Sequence, residues 1–302
     1  MSSVKYFIHK VYHWIESGIA KVFGENARYA FIYFLRTGKL LNLQHPTDMN
    51  EKQFWLARFW RHPLKTMCAD KYKVREYLEQ KGCADVLNEL YGVYDRSEDI
   101  DFEKLPNKFV IKCNHGCGFN IICEDKSTLD KEAVVKQLNK WLAFQFGRGI
   151  ENQYSNIERK IVVEKYLEGI NGQMMEYQLF CFNGQPMFFL VRNDLRKSEA
   201  DKTAQTFAIS YDIDWNRVYY RKDEEQCQVV LPKPVNYAKM VEYAKVLSAD
   251  FPHVRVDFYE VDDCLVFGEL TFSSHGGVLS NYKQEVVDKF GALLTLPQPY
   301  NI

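Results

Sequence analysis

The segment RVDFYEVDDCLVFGELTF, residues 255–272, constrains the fold more than any other stretch. Two runs rich in β-branched and aromatic residues flank the acidic pair Asp262-Asp263, which favours a tight hairpin turn. Each run carries one carboxylate, Asp257 or Glu269, at a similar distance from that turn. An unpaired carboxylate inside an apolar strand is costly. Antiparallel strands set residues equally far from a turn opposite one another, so Asp257 and Glu269 are expected to converge on one face. Converging carboxylates repel unless a proton or a cation lies between them. Hard oxygen ligands of this kind suit Mg²⁺, which takes a few carboxylates together with substrate phosphates. The spacing equally allows two separate carboxylates, each paired with a neighbouring Lys or Arg.

Other segments share this character. KFVIKC and NIICED read as short strands around a glycine loop. KIVVEKYL, EYQLFCFNGQPMFFLV and HVRVDFYEV read as further strands, with Asn183-Gly184 as a second hairpin turn. Helical patterns lie between them. DMNEKQFWLARFW opens on an Asp/Asn cap, DKYKVREYLEQKG ends at Gly82 as a C-cap, and KEAVVKQLNKWLAFQF and NYAKMVEYAKVLSAD carry amphipathic spacing. Strands in hairpins with helices beside them indicate an α+β fold. Residues 1–66 are expected to be helical, and there is no internal repeat or long linker.

With 302 residues and a net charge of −1, the field of the whole molecule gives no argument for nucleic acid. Eight cysteines form an even set, but a chain of this length needs no disulfide staples. The opening MSSVKYFIHKVYHWIESGIAKVFG has charges scattered through it and no signal-peptide core, and no run approaches the roughly 18 apolar residues of a membrane span. A reduced, cytoplasmic protein is expected. In that opening Val4, Phe7, Ile8, Val11, Ile15, Ile19 and Val22 fall on one helical stripe. Residues 4–23 are expected to pack on their own domain, with contact to a membrane surface as the less favoured alternative.

The stretch KFVIKCNHGCGFNIICED, residues 108–125, admits three readings. As a zinc site it offers Cys113, Cys117, Cys123 and His115 but lacks the second ligand pair such sites use. As a thiol centre it offers Cys117 with His115 or His275, with nothing further to single it out. As a glycine loop after Lys112 it offers flexible N–H groups and a point charge to an anion, without the spacing of a Walker A motif. The phosphate reading is preferred. Two other features suit a nucleotide: IVVEKYLEG is an apolar strand whose edge can meet adenine, and Glu176 can accept from ribose hydroxyls. Both also read as ordinary polar strand ends.

In this order, DKYKVREYL, LPNKFVIKCNHGCGFNII, VVEKYLEG, FCFNGQP, YDIDWN and RVDFYEV…FGELTF resemble the ATP-grasp superfamily from about residue 26 to about 280. Within it they resemble the TupA-like branch associated with teichuronopeptide and capsular polysaccharide biosynthesis. The resemblance implies ATP held between two α+β subdomains, residues 67–163 with the glycine loop and residues 164–302 with the metal hairpin. It implies that Lys71 and Lys112 contact the phosphates, under a loop of Asn114, His115, Gly116, Cys117 and Gly118. The main chain of Lys165 and Leu167, with Glu164 nearby, would meet adenine, and Glu176 the ribose. Asp257, Glu269 and Thr271 would hold Mg²⁺, and Arg255 would face the reacting acyl phosphate. Thr271 stands where Asn is frequent, SSHGG at Ser273–Gly277 where the branch reads TPGSG, and Gln178 where it carries Lys. The helical residues 1–66 replace the α/β domain that usually comes first.

The implied activity is ligation of a carboxylate to an amine through an acyl phosphate, on a uronic-acid or amino-sugar unit of a surface polysaccharide. Arg192, Arg196, Lys202 and His275 are candidates for the acceptor, with solvated surface charge as their plain alternative. Three rival readings remain: a kinase phosphorylating a sugar hydroxyl, a glycosyltransferase, and a non-catalytic ATP-binding partner of a capsule assembly complex.

Overall fold

The computed structural model describes residues 14–147, 149–169, 174–193 and 206–300. In chain order the elements are α1 (Glu25–Thr37), α2 (Met49–Phe59), α3 (Pro63–Ala69), α4 (Val74–Gln80), β1 (Leu90–Tyr94), β2 (Phe109–Cys113), β3 (Asn120–Cys123), α5 (Lys131–Ala143), β4 (Ile161–Lys165), β5 (Glu176–Phe182), β6 (Gln185–Arg192), β7 (Ala208–Asp212), β8 (Arg217–Val218), α6 (Tyr237–Ser248), β9 (His253–Val261), β10 (Cys264–Thr271) and α7 (Gln284–Leu293). This mixture of antiparallel sheets and helices is the expected α+β class.

Local signals explain several helix ends. The Asp48 carboxylate accepts from the Glu51 N–H at 2.9 Å, and the Glu51 carboxylate accepts from the Thr47 N–H at 2.8 Å, so α2 starts on reciprocal caps. Helix α4 stops before Gly82, whose φ of 73° is left-handed. It also starts later than its pattern predicts. Asp70 accepts from the Tyr72 and Lys73 N–H groups, which folds residues 70–73 into a turn ahead of the helix.

The chain divides into two compact units. One gathers the described residues up to Arg61, Gly149–Asn152 and the residues from Ser273 onward. Its core joins Tyr29, Ile32 and Tyr33 of α1 to Phe54 and Ala57 of α2, with Ile150 and Val278. Helix α7 packs on α2 and lies so close to its start that a Cβ on Gly291 would sit 2.3 Å from the Thr47 carbonyl oxygen. Lys52 donates to the Gly291 and Leu294 carbonyls, each at 2.7 Å, and so caps the end of α7. Residues 14–23 are helical; of the expected stripe, Ile19 is half-buried while Ile15 and Val22 are exposed, as are the neighbouring Trp14 and Phe23. The first part of the expected amphipathic stripe, residues 4–13, lies outside the described residues.

The other unit, His62–Arg148 with Gln153–Phe272, holds two antiparallel sheets. The smaller has strand order β1-β4-β2-β3. Phe109, Ile111, Ile161 and Val163 bury one of its faces against Val134 and Leu138 of α5. The larger has order β10-β9-β5-β6-β7-β8. Helix α6 covers one face of it, placing Met240, Ala244 and Leu247 out of solvent. Strand β5 is buried along its whole length, so its polar residues are buried as well.

Candidate active site

Strand alternation builds the site. Arg255, Asp257 and Tyr259 share one face of β9, while Val256 and Phe258 turn to the other. Register places Gln178 beside Asp257 and Glu176 beside Tyr259 on β5, and Glu269 beside Asp257 and Thr271 beside Arg255 on β10. The polar side chains of three strands therefore collect on one face. The hairpin closes through Asp262 and Asp263, both with positive φ (50° and 59°), the backbone of a type I′ turn. A bulge at Gly268 is what sets Glu269 opposite Asp257. A Cβ there would lie 3.0 Å from the Asp257 carbonyl oxygen, so the close approach of the strands favours glycine.

Both sheets of this unit line a cleft of about 280 Å³. The smaller sheet and the chain following it contribute Lys112, Asn120, Glu164 and Leu167. The larger contributes Glu176, Tyr259, Phe267 and Glu269, and Lys71, Arg75, Asn88 and Gly118 complete the wall. Among the sequence-predicted residues, the structure thus brings Lys71, Lys112, Gly118, Glu164, Leu167, Glu176 and Glu269 to one cavity.

Charge in the cleft is closely paired. Lys112 Nζ lies 2.7 Å from Glu164 Oε2, and Arg75 approaches the other carboxylate oxygen at 3.6 Å. Lys71 Nζ donates to the Gly116 carbonyl at 2.5 Å. Arg255 grips Asp257 with both arms, Nε to Oδ1 at 2.7 Å and Nη2 to Oδ2 at 2.5 Å. Its Nη2 also reaches Thr271 Oγ1 at 3.0 Å and Glu269 Oε1 at 3.5 Å. Thr271 donates to Glu269 Oε1 at 2.7 Å.

Burial and neighbours separate the three acids. Burial raises Asp257 to about 6 even against the pull of Arg255. Burial first, then the charge of Asp257, raises Glu176 to about 8. Burial would raise Glu269 too, but Lys71, Arg255, the Thr271 hydroxyl and Lys112 outweigh it and hold Glu269 below its ordinary value. Asp257, Glu269 and Thr271 thus offer two carboxylates and a hydroxyl, a hard-oxygen set that fits Mg²⁺. Among the described residues no group of three or more His, Cys, Asp or Glu is placed to hold a metal ion. The zinc reading gains no ligand set: Cys113 and Cys123 are buried in their strands and Cys117 is exposed.

The glycine loop between β2 and β3 is firmly anchored at its start. Asn114 is buried and donates to Asp70 Oδ1 at 2.9 Å and the Glu158 carbonyl at 2.8 Å, while its Oδ1 accepts from the Lys160 N–H at 2.7 Å. His115 is buried as well, with Nε2 3.1 Å from the Trp141 carbonyl oxygen, and burial lowers its pKa. Of the five predicted loop residues only Gly118, at φ 72°, lines the cleft. The Lys165 main chain already has partners: its N–H donates to the Glu89 carbonyl and its carbonyl accepts from Asn88 Nδ2, both at 2.9 Å. Arg192 pairs in register with Glu176. His275 belongs to the other unit, where its carbonyl accepts from Arg36 at 2.7 Å. Arg196 and Lys202 lie outside the described residues.

Sequence reasoning missed Arg75, Asn88, Asn120, Tyr259 and Phe267 as cleft residues. Tyr259 was readable, since it continues the alternation of Arg255 and Asp257. Asn120 sits opposite Lys112 in the register, which the loop length alone did not reveal. Arg75 and Asn88 carry no local signal.

The sequence model described as TupA-like ATPgrasp matches residues 51–295. No curated protein sequence matches the chain. Among solved structures, D-alanine–D-alanine ligase from Bacillus anthracis is similar at 14% identity, with 82% of this chain and 71% of that chain covered and a TM-score of 0.42. The D-alanine–D-alanine ligase from Helicobacter pylori is similar at 13% identity over 82% and 70% of the two chains, with a TM-score of 0.47. The D-cycloserine synthetase DcsG is similar at 15% identity over 77% and 71%, with a TM-score of 0.41.

Proposed function

This chain belongs to the TupA-like ATP-grasp family and has the ATP-grasp fold, and from that premise we propose that it is an ATP- and Mg²⁺-dependent carboxylate–amine ligase. The observation that carries this reading is the joint lining of one cleft by Lys71, by Lys112 of the smaller sheet and by Glu176 and Glu269 of the larger, with Arg255 and Asp257 beside Glu269. Cations on one wall and paired acids on the other suit a polyphosphate bridged by a divalent ion. We assign Lys71 and Lys112 to the phosphates, Glu176 to the ribose, and Glu164 with the main chain of Leu167 to the adenine, the Lys165 main chain being engaged with Glu89 and Asn88. Asp257, Glu269 and Thr271 would hold Mg²⁺, and the ion would supply neutralisation of phosphate charge.

Arg255 then has two roles. It lies at the edge of the acidic pair, where its guanidinium can leave Asp257 for the oxygens of an acyl phosphate. The carboxylate substrate takes the γ-phosphoryl group, the amine attacks the acyl carbon, and phosphate leaves with the former carboxylate oxygen. Such chemistry asks the protein for charge and placement and needs no side-chain nucleophile. We place the acceptor class among uronic-acid or amino-sugar units of a surface polysaccharide, and the amine among amino acids. The test is ADP release with and without Mg²⁺ across a panel of uronates and amino acids, with products identified by mass. An amide product is expected. A stable phosphate ester would identify a kinase, and no ADP release from any pairing would refute catalysis of this kind.

A further inference from the structure

Large apolar side chains are unevenly distributed over this molecule. Seven of the twelve exposed ones among the described residues lie between positions 14 and 40. Trp14 is 79% exposed, Val22 and Phe23 are each 73% exposed, and Leu40 is 86% exposed. Scattered singly, such residues need no explanation, but concentration in one segment does. In the helical run 14–23 Glu16 is buried at 2% while Trp14 and Val22, two turns apart, face solvent. At Gly24, φ 86°, this run breaks from α1, whose buried stripe is Tyr29, Ile32 and Tyr33 and whose exposed end carries Phe34 and Leu35.

Charge follows the same division. Residues 1–45 contain six Lys and Arg against two Glu, whereas the remaining 257 residues contain 33 Lys and Arg against 38 Asp and Glu. Four of those six cations, Lys21, Arg28, Arg36 and Lys39, lie in the segment 14–40 that exposes the apolar side chains. Apolar and aromatic groups among lysines are what the boundary of an anionic bilayer selects. Trp and Phe settle at the headgroup level, and lysine stems extend toward the phosphates. A protein partner would be expected to bury charge pairs of both signs, whereas here Glu25 pairs with Arg28 at 3.1 Å, Glu16 is buried and Arg36 donates to the Gly276 and His275 carbonyls, so the exposed charges the segment presents are Lys21 and Lys39. We propose that the segment containing residues 14–40 docks this protein peripherally on anionic phospholipid membranes. This binding rests on a different part of the molecule from the cleft and is independent of the ligase reading.

The test uses the full chain and sedimented vesicles of phosphatidylcholine alone or with about one third phosphatidylglycerol, in low and physiological salt and without nucleotide. Binding to the anionic vesicles is expected, at least tenfold weaker on the neutral ones and weaker again as salt rises. The exposed-residue variant Trp14→Ser/Val22→Ser/Phe23→Ser is expected to lose at least tenfold in binding while keeping its thermal transition. Lys21→Glu/Lys39→Glu is expected to remove most of the preference for anionic lipid. Equal binding of both variants and the parent chain would overturn the proposal, as would no sedimentation with either vesicle. A parent chain that is dimeric in solution, and monomeric only in the serine variant, would show that this face joins two copies instead.

Discussion

Replacing Glu176 with glutamine isolates the energetic cost of burying acids in this cleft. Glu176 is 5% exposed and accepts from Gln178 Nε2 at 2.8 Å and weakly from the Tyr259 hydroxyl at 3.4 Å. Burial and the nearby Asp257 raise it from an ordinary 4.5 to about 8. The folded state therefore holds a proton over a range where the unfolded chain has lost it. A raised carboxyl contributes stability that is fully present below its unfolded pKa and is lost as pH rises through its folded one. For this displacement the loss amounts to roughly 4–5 kcal/mol between pH 4.5 and 8. Glutamine resembles the protonated acid and does not titrate. Glu176→Gln should thus match the parent chain within about 1 kcal/mol at pH 4.5 and exceed its stability by several kcal/mol at pH 9. Urea unfolding of both chains from pH 4.5 to 9, without nucleotide or Mg²⁺, reads the difference directly. Asp257, raised from 3.8 to about 6, should leave a residual slope in the variant confined to lower pH. A stability difference that is constant across pH would refute the reasoning, because it would mean that Glu176 ionises in the fold as easily as in the unfolded chain.

Other residues give sharper single readouts. Lys112→Met should raise the KM for ATP at least tenfold, with a stability change of no more than about 1 kcal/mol because the ammonium is partly solvated; steady-state ADP release and thermal melts together check both halves. Asp48→Ala removes the acceptor that starts α2 and should cost about 1 kcal/mol by denaturant unfolding, with ATP binding unaltered. Leu179→Ala, at a fully buried site on β5, should cost about 2–5 kcal/mol and lower the midpoint of thermal unfolding by several degrees.

What could be read from the sequence was whatever local physics decides. The hairpin at 255–272 was legible because period-two apolar spacing and a turn with two positive-φ acids allow little else. The convergence of Asp257 and Glu269 followed from it, although the bulge at Gly268 that perfects their alignment gives no sequence signal beyond one glycine. Helix α2 was legible because Asp48 is a strong cap. Strands β1, β7 and β8 were not: β1 is half-buried throughout, so its sequence shows no alternation, and β8 spans two residues. Helix α7 was missed because its apolar face is defined by packing on α2, far away in sequence. The glycine loop shows the same limit. Asn114 and His115 look like loop residues free to meet a ligand, yet partners 26 to 46 positions away bury both. Hydrogen bonds of that range leave no local trace.

The arginine at the acidic pair makes a prediction about metal binding that spacing alone would not. Two carboxylates with no cation between them would bind Mg²⁺ readily, but here Arg255 already occupies Asp257 through a bidentate contact and touches Glu269 and Thr271. Such charge-assisted forks are among the stronger polar contacts in proteins. Mg²⁺ alone must compete with this guanidinium, whereas Mg²⁺ arriving with ATP brings phosphate oxygens that give Arg255 a new partner. Millimolar Mg²⁺ by itself should therefore move the thermal midpoint very little. ATP with Mg²⁺ should stabilise by about 1.4 kcal/mol or more once the complex is present at tenfold its Kd. Glu269→Gln should erase the increment that Mg²⁺ adds to ATP while leaving the effect of ATP alone. Arg255→Met should do the reverse, freeing Asp257 and allowing Mg²⁺ alone to stabilise the fold. A full thermal shift from Mg²⁺ alone in the parent chain, retained in Glu269→Gln, would mean that the ion sits elsewhere and that the contact between Arg255 and Asp257 is only a structural ion pair.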